Sequence, residues 1–261
     1  HSLAIFPKKN CFDLIFSSLT AIASFAVIVF VIGILVVLVK ESSLAIGKFG
    51  LVHFLISTDW NPVKGLFGAA TSIYGTLITT ALALCFAIPT AVGIAIFVTE
   101  IAPNFLKGPI GVAIELLAAI PSIIYGMWGL FTLAPIMSKY IEPALQSTVG
   151  KLPLIEVLFK GNPMGIDLLT ASVILAIMII PFTASIARDS FNLTPAVVKE
   201  SAYAVGATQW EVVKNVVLPY SKLGVFGGAA LSLGRALGET MAVAFVLGNN
   251  HRIATSPLDA A

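Results

Sequence analysis

Five stretches of the chain stay apolar over lengths that a soluble core element does not need, near residues 14–39, 72–98, 110–137, 166–187 and 223–247. About 20 consecutive apolar residues cross a bilayer as a helix, so the pattern predicts five membrane spans. No internal repeat or low-complexity tract lies between them. Residues 40–71 and 138–165 carry Gly, Pro, Asn and aromatic residues, including STDWNPVKG, and read as structured external loops. The expected division is an N-terminal anchor span with its loop, 1–71, followed by a transmembrane core, 72–261.

Composition agrees with the pattern. Of 261 residues, 58% are hydrophobic and 11% charged, with mean hydropathy +1.00. Soluble domains carry about 25% charged residues. The fold class expected is therefore all-α, a polytopic helical membrane protein. A formal net charge of +2 gives no basic field for nucleic acid. Cys11 and Cys85 occupy different surroundings, which argues against a disulfide framework, and His1, His53 and His251 lack metal-ligand spacing. No metal site is expected.

The chain opens at His1 rather than methionine. Its first apolar stretch follows Pro7-Lys8-Lys9, is too long for a signal-peptide core and has no A-x-A cleavage pattern, so it reads as a retained anchor. Seven Lys and Arg residues fall on each side of the five spans, so the positive-inside rule does not decide the orientation. Lys8 and Lys9 favour a cytoplasmic amino terminus.

The segment between the fourth and fifth spans has a different character. Thr194-Pro195 is a helix-start signal, small and apolar residues then recur at helical spacing, Gly206 interrupts the pattern, and Pro219 ends it. This predicts two short amphipathic helices at about 195–214, joined near Gly206 and lying at the membrane surface. Small residues at Ser201, Ala202 and Ala207 allow close approach of another protein. Trp210 suits either a protein interface or the lipid headgroup level. Periodicity alone favours an interfacial helix that only connects two spans.

The last apolar stretch contains Arg235 and Glu239, four residues apart in SLGRALGETMAVAF. Each charge at a span centre costs roughly 2.5–3.5 kcal/mol on insertion scales. An intrahelical pair with arginine N-terminal to glutamate is the weaker order and does not offset that cost. The arginine fork suits a desolvated phosphate or carboxylate, and Glu239 is expected to hold that fork and release it to an arriving anion. Gly224, Gly228, Gly234 and Gly238 form a small-residue stripe for helix packing. In AAIPSIIYG, Pro121 frees a backbone carbonyl, and Ser122 and Tyr125 either face the translocating anion or lie beside a kink satisfied by neighbouring helices. Glu115 is expected to reach the cytoplasmic interface.

Several of these residues together resemble a known signature. Glu200, Ser201, Ala202, Gly206, Leu218 and Pro219 match the EAA motif of ABC importer permeases, with serine in place of the usual first alanine. In that family the motif forms the cytoplasmic coupling helix that docks on the ATPase, so the resemblance implies a type I, MetI-like permease bundle. It also implies a coupling role for Ala207 and Trp210 beside those six. LGRALGETMAVAFVLGN, 233–249, and AAIPSIIYGMWGL, 118–130, resemble the PstC-type permease subunit of the phosphate-specific ABC importer. That resemblance implies a substrate path at Arg235 and Glu239 in a multi-pass protein of the bacterial or archaeal plasma membrane. It implies, as partners, a PstA-type second permease subunit, a PstB-type ATPase dimer and a PstS-type external phosphate-binding protein. ATP and magnesium are then cofactors of the ATPase alone, since this chain has no Walker A motif. A PstC-type subunit also carries a sixth span beyond residue 250. The alternatives are a permease for sulfate, molybdate or phosphonate, and an intramembrane enzyme using Glu239 or Glu115.

Overall fold

A computed structural model describes residues 11–148, 164–248, 253 and 256–258. The chain forms two units, residues 1–69 and 70–261.

The first unit is one long helix with a small appendage. Helix α1 (Cys11–Phe49) runs ten residues past the expected end of the first span, because Lys40, Glu41 and Ser42 are all compatible with helix. Its side chains are exposed almost throughout, as in a helix with apolar residues on every face. Gly50, at φ 75°, turns the chain into α2 (Leu51–Ile56). A two-residue hairpin follows, β1 (Trp60–Asn61) against β2 (Leu66–Phe67), with Trp60 opposite Phe67. Their rings meet edge to face at 5.1 Å. The loop expected at 40–71 is thus part helix and part hairpin.

The second unit is a helical bundle. It comprises α3 (Ala70–Ile96), α4 (Asn104–Ala118), α5 (Ser122–Trp128), α6 (Ala134–Ile136), α7 (Glu142–Thr148), α8 (Leu168–Asn192), α9 (Ala196–Ala204), α10 (Gln209–Val212), α11 (Leu218–Leu237) and α12 (Met241–Leu247). Helix α8 is the centre. It packs on α3, α4, α11 and α12, and Ile174, Leu175, Met178 and Ile179 on it are buried. Alanines 83, 87, 91 and 95 present a fully buried face of α3, which lets the two backbones approach closely. Among the described residues, four helices are long and apolar enough to cross a membrane, and a bent pair makes a fifth.

Two expected spans are interrupted. The third, expected at 110–137, bends through 88° between α4 and the helical run Ser122–Thr148. Pro121 is the cause: it has no N–H for the Leu117 carbonyl and disfavours a helical Ile120 before it. The fifth, expected at 223–247, begins much earlier, since α10 passes through a widened turn (Val213–Val217) directly into α11. It then breaks at Gly238, before α12. Of the loop expected at 138–165, α7 covers the first part, and residues 149–163 lie outside the described residues.

Buried polar groups mark the junction of α7 and α8. Glu142 and Asp167 are both buried; Glu142 Oε2 accepts from the Gly165 N–H at 3.3 Å, and Asp167 Oδ1 caps α8 by accepting from the Thr170 N–H at 2.8 Å.

Candidate functional site

The charged residues of the last span do not share a helix. Arg235 lies in the last turn of α11, whereas Glu239 follows the break at Gly238. The Glu239 carboxylate accepts a hydrogen bond from the Ala242 N–H at 3.0 Å, in the first turn of α12. The guanidinium of Arg235 lies over the Phe182 ring of α8, 5.1 Å from its centroid. Arg235 and Glu239 form no ion pair. The expectation that Glu239 holds the arginine fork is therefore corrected. A cation at a helix C-terminus and an anion at a helix N-terminus each meet a favourable end of the backbone dipole. The break, rather than mutual pairing, compensates the two charges.

The surroundings of Arg235 are partly polar. One turn earlier on α11, the Ser232 and Thr183 hydroxyls meet at 2.6 Å in a buried contact with α8. Tyr125 lies within electrostatic reach of Arg235. Its hydroxyl donates to the Leu117 carbonyl at 3.0 Å, the carbonyl that Pro121 leaves without its helical donor. Tyr125 is thus engaged with the break in α4–α5, while Ser122, half-buried, opens α5. The two breaks are neighbours: α5 packs on α12, and a Cβ on Gly126 would lie 2.8 Å from Ala242 Cα.

The glycine stripe divides in two. Gly224 and Gly228 sit against Ser190 and Ile186 of α8, so they serve packing within the chain. Gly234 faces open space, and Gly238 meets only its own helix end.

The polar segment between α8 and α11 folds as a helix–turn–helix. Helix α9 starts one residue later than expected, with Pro195 at its cap; the Thr194 hydroxyl instead meets that of Ser221 at 3.2 Å, buried. Gly206 takes φ 91°, a conformation that disfavours any side chain, and makes the turn. Thr208 and Glu211 then form a capping box for α10. Glu200, Ser201, Gly206, Trp210 and Pro219 are exposed. Ala202, Ala207 and Leu218 turn the other way, onto a core of Ala95, Ile96, Phe191, Val212, Val213 and Val217. The small size of the two alanines serves the chain's own packing.

Polar contacts fasten this segment to α3. Lys199 Nζ lies 2.5 Å from Glu100 Oε1, and Gln209 Nε2 donates to the Glu100 carbonyl at 2.6 Å. Arg188 and Glu115 pair at 2.7 Å between α8 and α4, so Glu115 is engaged in a helix-to-helix contact. Glu100, Lys199 and Gln209 are not legible as a set: Glu100 stands 99 and 109 positions from the other two, and an acid at the end of a span is ordinary on its own.

The bundle thus carries an exposed helix–turn–helix between α8 and α11 and a charged helix break between α11 and α12. The chain matches the family model of the binding-protein-dependent transport system inner membrane component over residues 91–258, and it belongs to that family. It is similar to the phosphate transport system permease protein PstC of Mesorhizobium japonicum, 52% identical over 94% of this chain and 74% of the relative. The protein of the same name from Xylella fastidiosa is 58% identical over 79% of this chain and 64% of its own length. That from Haemophilus influenzae is 50% identical over 95% and 79%. Among solved structures, an inward-facing MetNI methionine ABC transporter aligns with a TM-score of 0.44 and 22% identity, over 66% of this chain and 68% of that one.

Proposed function

We propose that the chain is the permease subunit of an ATP-driven phosphate importer. The observation that carries this is 50–58% identity, over 79–95% of the chain, to proteins named as phosphate transport permeases. The half-buried Arg235 beside a helix break supports it, because a guanidinium that remains charged when desolvated matches an oxyanion. Arg235 meets the anion in the path, and Tyr125 and Ser122 line the break facing it. The exposed face of α9 and α10, with Glu200, Ser201 and Trp210, meets the ATPase. That end of the bundle, and the amino terminus, are then cytoplasmic.

The chain works with a PstA-type second permease, a PstB-type ATPase dimer that alone binds ATP and magnesium, and a PstS-type binding protein outside. Arg235 lies seventeen residues along α11 from Leu218, roughly 26 Å at helical rise. Hydrolysis on the ATPase docked at the coupling segment therefore acts on the anion through the helices and not by contact. The test is purification of the intact complex and uptake of labelled phosphate and sulfate into ATP-loaded vesicles. Uptake of phosphate over sulfate is expected; preferential sulfate uptake would mean a permease for another oxyanion.

A further inference from the structure

The contact between the coupling segment and α3 has a geometry that plain packing does not need. The C-terminal end of α3 passes into a widened turn, Phe97–Ile101, closed by the Ala102 N–H donating to the Phe97 carbonyl at 2.7 Å. Glu100 in this turn grips both arms of the helix–turn–helix. Its carboxylate takes Lys199 of α9, before the Gly206 turn, and its carbonyl takes Gln209 of α10, after it. Lys107 of α4 donates to the Thr99 carbonyl of the same turn at 2.6 Å. The Glu100 side chain is 8% exposed and that of Lys199 21%, so the pair is largely out of water.

A shielded ion pair behaves differently from the apolar contacts around it. The alanine and valine surfaces around it, such as those of Ala95, Ala202 and Val212, hold the segment by packing and carry no charge to expose or strand. Separating a largely buried ion pair strands a charge. Backbone bonds close the Gly206 turn itself, Gly206 N–H to the Tyr203 carbonyl at 2.9 Å and Ala207 N–H to the Ala202 carbonyl at 3.1 Å, and the Glu100 contacts tie its two arms to α3. With both arms held at residue 100, α9, α10 and the end of α3 move as one body. Helix α3 in turn packs along α8 and touches α11, the helix that carries Arg235.

We propose that Glu100 is a positioning residue that clasps both arms of the coupling segment to α3, so that displacement of α9 by the ATPase is delivered to the spans. This rests on the function proposed above. It predicts that loss of the clasp separates ATP hydrolysis from transport without disassembling the complex.

The test uses the complete complex in vesicles and the ratio of ATP hydrolysed to phosphate imported. Glu100→Gln and Lys199→Met are each expected to raise that ratio by about tenfold, within the span of ordinary coupling energies. The exchanged double variant, Glu100→Lys with Lys199→Glu, should bring it back toward wild type. Gln209→Met, which frees the second arm and leaves the ion pair, should raise it severalfold. A substrate-independent readout is amide hydrogen exchange over Phe97–Ile101, the turn that carries Glu100, in the complete complex. That exchange should depend on ATP in the parent complex and lose the dependence in Lys199→Met. Unchanged ratios in the single variants, or an ATP dependence of this exchange that survives Lys199→Met, would overturn the clasp. A parent complex whose exchange depends on ATP but that imports no phosphate would overturn the phosphate assignment and leave the clasp standing.

Discussion

Arg235 and Glu239 stand on opposite sides of a helix break, the first over the Phe182 ring and the second bonded to the Ala242 N–H. Four residues separate them in sequence, yet neither neutralises the other. Their independence makes their energies separable. In a double-mutant cycle of Arg235→Gln and Glu239→Gln, followed by thermal unfolding in detergent, the losses should add to within about 0.5 kcal/mol. A larger coupling energy would mean that the two charges pair.

Transport gives a second, independent measure of Arg235. Arg235→Lys keeps the charge but loses the planar fork, and uptake should fall about tenfold, a loss near 1.4 kcal/mol. Arg235→Gln should abolish uptake. The double variant Arg235→Gln with Glu239→Gln should remain inactive, and recovery of uptake in it would refute the role of Arg235 in the path.

Gly206 isolates backbone from packing. A Cβ there meets nothing within 4 Å, so only the φ of 91° opposes a side chain. Gly206→Val should cost about 1–2 kcal/mol locally and open the turn. Gly206→Asn should be milder, since asparagine tolerates that region. Uptake per assembled complex is expected to fall in the order glycine, asparagine, valine; equal activities would remove the turn from the coupling mechanism.

The divided glycine stripe makes a paired comparison possible. A Cβ on Gly224 would overlap the Ser190 side chain, whereas one on Gly234 has open space. Gly224→Ala should destabilise by about 1–3 kcal/mol through overpacking. Gly234→Ala should be neutral, or stabilising by up to about 1 kcal/mol through helix propensity. Melting of the purified subunit complex distinguishes the two.

Glu142 provides a test of buried polar satisfaction. Its carboxyl group accepts from the Gly165 N–H and lies beside the Asp167 carboxylate. Glu142→Gln keeps the acceptor and adds a donor for Asp167, so stability should hold or rise. Glu142→Ala strands the Gly165 N–H and should cost about 1–3 kcal/mol. A Gln variant as unstable as the Ala variant would show that charge, not hydrogen bonding, matters at this junction.

The spans are legible because lipid demands long apolar runs, and the helix–turn–helix between α8 and α11 is legible because Thr194-Pro195 and Gly206 punctuate it. The breaks are harder to read. Pro121 signals a bend, but nothing in RALGET distinguishes a glycine inside a helix from Gly238 ending one, since glycine serves both. Reading that stretch as a single helix leads directly to the expected Arg235–Glu239 pair. The role of Ala202 and Ala207 is hidden for a related reason. Small residues mark close approach without saying to what, and here the partner is the chain's own core of Ala95, Phe191 and Val213. Contacts such as Glu100 with Lys199 depend on tertiary approach and leave no local pattern.

The contact of Gly126 with Ala242 constrains which sequences remain open to this fold. Helices α5 and α12 touch at that point with no room for even one more methyl group, and each starts at a separate interruption of its span. A larger residue at 126 must displace α12, and with it the Ala242 amide that Glu239 holds. Substitutions at these two positions are therefore not free to accumulate one at a time. Tolerated change at either is expected only in company with the other, so a randomised library of this region should return Gly126 and position 242 as a correlated pair.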